Sequence, residues 1–183
     1  GYSPAMFLTR GALVITLALL SVLFVACIFG PPKFIGVMSY RDGCVYLMNK
    51  NFYKVGILPD DWKRVDTKVR SVTFYSPEAG ASISTSAFCG RGVEGLRPDA
   101  LSGEILGTLE NRSVLSEEKL MLNGRGAVRI LTSGSMDGVV SMVDLVTIRK
   151  DGCVFDFYAV SPGGQNQATR SAFEGFFQQF HFE

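Results

Sequence analysis

Residues 139–160, VVSMVDLVTIRKDGCVFDFYAV, decide the fold. Two runs rich in β-branched and aromatic residues flank Asp151-Gly152, a pair suited to a two-residue hairpin because both of its positions tolerate positive φ. The same punctuation recurs outward from this stretch. Asn123-Gly124 joins residues 117–122 to residues 125–133, Met136-Asp137-Gly138 leads into residue 139, and Asp42-Gly43 precedes Cys44-Val45-Tyr46-Leu47-Met48. Residues 53–57 read as a further strand ahead of Leu58-Pro59-Asp60-Asp61-Trp62. Val69, Ser71, Thr73 and Tyr75 alternate with Arg70, Val72, Phe74 and Ser76, and Pro77-Glu78-Ala79-Gly80 then turns the chain into residues 81–89. Successive hairpins of this kind make an antiparallel meander.

Two helices complete the reading. Arg97-Pro98-Asp99 suits a helix start, since proline is tolerated in the first turn, and Leu101, Ile105, Leu106 and Leu109 then share one face. Residues 165–180 place Ala168, Ala172, Phe173, Phe176, Phe177 and Phe180 on one stripe, which only a sheet is large enough to cover. The expected fold is α+β. An antiparallel sheet of hairpins is packed by a middle helix and a phenylalanine-rich C-terminal helix, after an N-terminal signal or anchor helix.

That N-terminal segment sets the address. Arg10 precedes an apolar run over residues 12–26, a length suited to an export signal, and Phe24-Val25-Ala26-Cys27 resembles a bacterial lipobox with Phe24 in place of the usual aliphatic residue. Cleavage before Cys27 would leave that cysteine to carry lipid. The competing reading keeps residues 11–29 whole as a transmembrane anchor that stops at Gly30-Pro31-Pro32. Both readings expect the same three parts: residues 1–27 as signal, lipobox or anchor, residues 28–41 as a tether, and residues 42–183 as one α+β domain. Both also expect the domain on the periplasmic side of a bacterial envelope. Ile28 after Cys27, in place of the aspartate of inner-membrane retention, favours the outer membrane over an inner-membrane anchor.

The chain carries 18 basic and 17 acidic residues, and losing residues 1–27 removes only Arg10. A domain so nearly neutral, without a basic run, is not expected to bind nucleic acid. Apart from Cys27 there are Cys44, Cys89 and Cys153, so at most one internal pair can form. Cys89 and Cys153 lie within or beside strand-like runs and are the expected pair, with three buried thiols as the alternative.

No catalytic residue, metal ligand set or cofactor is expected. His181 is the sole histidine and sits near the chain end, where it reads as a polar cap on the last helix. Asp60-Asp61 reads as a turn, and the adjacent Glu117-Glu118 side chains point to opposite faces of a strand. Gly90-Arg91-Gly92-Val93-Glu94-Gly95 lacks the lysine and Ser/Thr of a phosphate loop and reads as a plain loop. Arg91 and Arg97, next to the helix start, are nonetheless interaction candidates. Phe52, Tyr53 and Trp62 divide between two roles, as sheet core or, if exposed, as a partner surface.

In order, Leu58-Pro59-Asp60-Asp61-Trp62, the strand Val72-Thr73-Phe74-Tyr75-Ser76-Pro77 and the helix Ser171-Ala172-Phe173-Glu174-Gly175-Phe176-Phe177-Gln178-Gln179-Phe180 resemble the PsbP/Mog/DcrB-like fold. The resemblance implies a sheet sandwiched by helices and, in bacteria, frequent lipidation. It also implies an accessory or assembly role in a membrane complex, with a protein subunit of that complex as partner. A second likeness, to envelope lipoproteins associated with ABC-type lipid transport or outer-membrane maintenance, points the same way. The alternative function is a carrier or sensor holding a lipid-like molecule between the sheet and the last helix, against Phe173, Phe176 and Phe177.

Overall fold

A computed structural model describes residues 37–48, 51–67, 71–90 and 106–182. Cys27, Arg91, Arg97 and most of the expected middle helix lie outside these residues.

A three-stranded sheet joins β1 (Val37–Arg41), β2 (Cys44–Leu47) and β3 (Phe52–Lys54) in sequence order. A seven-stranded antiparallel sheet contains β4 (Lys63–Val65), β5 (Ser71–Ser76), β6 (Ala81–Cys89), β7 (Glu110–Leu122), β8 (Arg125–Met136), β9 (Val139–Lys150) and β10 (Cys153–Pro162). Its order is β4-β5-β6-β10-β9-β8-β7, so β10 enters between β6 and β9, and β6 and β7 are separated by three strands. The helix α1 (Gln167–Gln178) closes the chain, with the Asn166 side chain accepting from the Thr169 N–H as its N-cap.

The hairpin turns form where Asx-Gly pairs were read. Asp151 and Gly152 both take positive φ, 50° and 74°, and the Asp42, Asn123 and Asp137 pairs do the same. One consequence corrects the expected tether over residues 28–41. Asp42-Gly43 is a true hairpin, so the strand before it is already paired: Arg41 faces Cys44 and Tyr40 faces Val45. The folded domain therefore includes Val37. β7 also begins at Glu110, well before the expected residue 117, because two irregularities let its polar first half stay in the ladder with β8.

The small sheet and α1 lie side by side on one face of the large sheet. Tyr53 of β3 stands edge to face with Phe155 at 5.0 Å, and Tyr40 of β1 does so with Phe74 at 5.1 Å. From α1, Phe176 meets Phe74 and Phe157, and beyond the helix Phe180 and Phe182 stack on Phe155. Each such buried ring contributes about 1.5–3 kcal/mol. The helix meets β3's exit backbone to backbone, with the Gly56 N–H donating to the Phe176 carbonyl at 2.8 Å. On the opposite face, Leu106 and Leu109 cover Ile130, Val143 and Leu145.

His181 lies beyond the helix and does not cap it, contrary to the expected polar cap. His181 forms a two-way backbone bridge with Lys54 at 2.8 and 3.2 Å. Its Nδ1 lies 3.0 Å from the Asn123 amide nitrogen, and Asn123 Oδ1 accepts from the Phe182 N–H.

Candidate functional site

Strands β8 and β9 carry opposite charges on the face that α1 crosses. Arg129 in β8 lies opposite Val146 of β9 and Glu118 of β7, while Asp144, two residues before Val146, shares its face. Asp144 is 2% exposed, so its charge needs a partner. Arg129 supplies it as a fork: Nε donates to Oδ1 at 2.9 Å and Nη2 to Oδ2 at 2.7 Å. The third guanidinium nitrogen, Nη1, donates to Glu174 Oε1 of α1 at 3.2 Å, and the guanidinium lies 5.5 Å from the centre of the Phe177 ring. Gln165 Nε2 donates to Asp144 Oδ2 at 3.2 Å. The hydrogen bonds from Arg129 to Asp144 outweigh its partial burial and raise its pKa further above the ordinary arginine value.

Beside this cluster, at the end of the sheet towards β7, opens a polar cleft of about 250 Å³. Ser116 and Glu118 of β7 wall one side, Arg129, Leu131 and Asp144 form the floor, and Gln165, Arg170 and Glu174 bound it from the helix side. Its walls hold three carboxylates against two guanidiniums. Arg129 and Asp144 neutralise one another, which leaves Glu118, Glu174 and Arg170 to face an incoming group. Such a cleft orients charged or hydrogen-bonding groups.

The residues singled out by sequence do not converge there. Cys89 and Cys153 are register partners across β6 and β10 and form a disulfide, while Cys44 is a free, half-buried thiol. Tyr53 is fully buried, its hydroxyl 2.9 Å from Thr85 Oγ1, and Trp62 is buried as well. Both are core residues and so are corrected as partner-surface candidates; Phe52 alone of that trio is exposed, at 45%. Phe173, Phe176 and Phe177 are buried against other rings, and among the described residues the cleft beside the helix is the polar one. Asp60 and Asp61 lie in a turn where the Trp62 N–H donates to the Pro59 carbonyl at 3.0 Å, as the turn reading expects, and Asp61 also accepts from Ser76 Oγ at 2.9 Å. Glu117 and Glu118 point to opposite faces, and only Glu118 reaches the cleft. Arg129 and Asp144 went unread, although a signal was present: single charges inside the apolar runs Ala127-Val128-Arg129-Ile130 and Val143-Asp144-Leu145 must be paired.

Among the described residues, no three His, Cys, Asp or Glu side chains are grouped to hold a metal, and no helix is long and apolar enough to cross a membrane.

No family model matches the sequence, and no curated protein matches it. Solved structures do resemble the fold. LpqN of Mycobacterium tuberculosis, described as involved in cell envelope biogenesis, aligns with a TM-score of 0.52 and 17% identity over 81% of this chain and 90% of its own. A protein of Bacteroides thetaiotaomicron aligns with a TM-score of 0.52 and 14% identity over 72% of this chain, which spans only 45% of that protein's length. The cyanobacterial PsbP of Synechocystis sp. PCC 6803 aligns over 84% of this chain and 95% of its own, with a TM-score of 0.46 and 14% identity. At these identities the likeness to LpqN and to the Bacteroides protein shows a shared fold alone.

Proposed function

We propose that this chain is a non-catalytic accessory subunit of a bacterial envelope complex, held at the membrane by its N-terminal segment. The observation that carries the reading is the chemistry of the β7–β8–α1 cleft. It offers charged and amide groups for recognition, while the sole histidine is committed to Asn123 and the backbone of Lys54 elsewhere. A hydrolytic or transfer reaction would need a nucleophile and base in hydrogen-bond reach, and Ser116, the one hydroxyl of the cleft lining, makes no hydrogen bond with its carboxylates.

The Cys89–Cys153 disulfide supports an oxidising compartment, in line with the export-type N-terminus. The fold shared with LpqN, described as involved in cell envelope biogenesis, supports an envelope role; a link to ABC-type lipid transport or outer-membrane maintenance rests on the sequence likeness alone. Anchoring runs through a lipid on Cys27 or through an uncleaved helix over residues 11–29. Cross-linked affinity purification from native membranes, with proteins and lipids identified together by mass spectrometry, tests the reading. A stoichiometric protein partner is the expected result; lipid without any protein would overturn it in favour of a carrier.

A further inference from the structure

Among the described residues β7 is the last strand of the large sheet, so its outer row of backbone N–H and C=O groups has no neighbouring strand there. Such an edge is a template for another strand unless it is guarded. The first half of β7 is guarded. Its ladder with β8 shifts register between Glu110 and Ser113 and again between Val114 and Ser116, and Asn111 takes a positive φ of 50°. The second half is not: residues 116–122 pair one for one with residues 131–125 of β8, and the strand is exposed until Leu120.

A second copy of this chain fits this segment less well in its longest antiparallel register, where side chains on matching faces set Lys119 against Lys119; one step either way sets Glu118 against Glu118 or Leu120 against Leu120. Like charges directly opposite one another destabilise a strand pair. The groups offered on the cleft side favour a different occupant. Glu118 projects to the same face as Arg129, and across the cleft stands Glu174, bound to Arg129 through Oε1 alone. A side chain on an added strand opposite Glu118 would begin about 5 Å from it. A lysine or arginine there reaches over Glu118 into the cleft, with its methylenes against Leu131 and its charge between the two glutamates, which outnumber Arg170 in the lining.

From this we infer that residues 116–122 of β7 and the adjoining cleft receive an extended segment of a partner protein, with a basic side chain placed between Glu118 and Glu174. This rests on the accessory-subunit reading and names the chemistry of its partner.

The probe is a blocked heptapeptide of alternating threonine and valine with arginine at its centre, compared with the same peptide carrying glutamine there. Backbone amide shifts of the full chain are followed by NMR. The arginine peptide is expected to shift residues 116–122 and the Glu118 and Glu174 side chains, and to bind about three- to fivefold more tightly than the glutamine peptide, as an exposed charge pair permits. Glu118→Gln, at an exposed position, should erase that difference with the rest of the spectrum unchanged. Equal binding of the two peptides, shifts mapping to β4 or to the small sheet, or no shift at millimolar peptide would each overturn the inference. Native-membrane capture separates the two claims. If the wild-type chain and Glu118→Gln retain the same stoichiometric partner, the cleft is not the contact although the accessory role stands; if neither retains a protein, the accessory role itself fails.

Discussion

Asp144 and Arg129 join the large sheet to the terminal helix. Removing the carboxylate strands a half-buried guanidinium that still holds Glu174, so Asp144→Ala should lower unfolding free energy by about 3 kcal/mol, read from urea midpoints. A loss below about 1 kcal/mol would mean that the pair is solvated and does little for the fold. Tyr53 offers a second test at this scale. Burial is the main reason its phenol ionises well above the usual 10.0, with the Thr85 hydrogen bond acting the other way. The folded chain therefore keeps a proton that the unfolded chain releases near pH 10. The resulting stability is intact below that pH and is lost as pH rises above it, by about 1.4 kcal/mol per unit. Tyr53→Phe should cost about 1 kcal/mol at neutral pH, through the lost hydrogen bond, and should resist alkaline unfolding better than the parent. Parallel alkaline curves for the two proteins would contradict this assignment. Residue types alone did not separate the two roles of Tyr53 and Trp62, because burial of an aromatic is a property of the assembled layers. The charge pair was closer to legible, since a lone Asp within Val143-Asp144-Leu145 already demands a partner.

At the scale of elements, hairpins were the most readable feature, because Asx-Gly turns and alternation are local signals. β4 and the first half of β7 escaped, being short or polar and held by neighbours that no local pattern names. The packing of α1 turns on two glycines with opposite expectations. A Cβ on Gly56 would lie 2.1 Å from the Gly175 carbonyl oxygen, a backbone atom that moves only with the helix. Gly56→Ala should destabilise by about 1–3 kcal/mol and loosen α1 from the sheet. A Cβ on Gly175 meets nothing within 4 Å, so Gly175→Ala should stabilise by about 0.5–1 kcal/mol through helix propensity alone. Thermal denaturation of both variants checks the pair, and destabilisation by Gly175→Ala would refute the described helix approach.

At the largest scale, one aromatic core ties the large sheet, the small sheet and α1 together, and the Cys89–Cys153 disulfide closes a loop of 64 residues across two central strands. The loop-entropy argument gives it about 4 kcal/mol, so Cys89→Ala with Cys153→Ala should lower the unfolding free energy by that much, read from denaturant unfolding, as should reduction of the parent. The α+β class and the terminal phenylalanine stripe were legible because they follow from periodicity. A lipid cavity against that stripe was not decidable from sequence, since the same phenylalanines serve a cavity wall or a packed core equally well. The structure fills the space with rings from β3, β5 and β10. Among the described residues a charged cleft opens on that side beside the edge strand β7. Native mass spectrometry of the chain released from its own membranes in mild detergent tests this account most directly. The account predicts the chain in a fixed ratio with at least one other protein subunit; the chain alone, or with only the mass of a bound lipid, would contradict it.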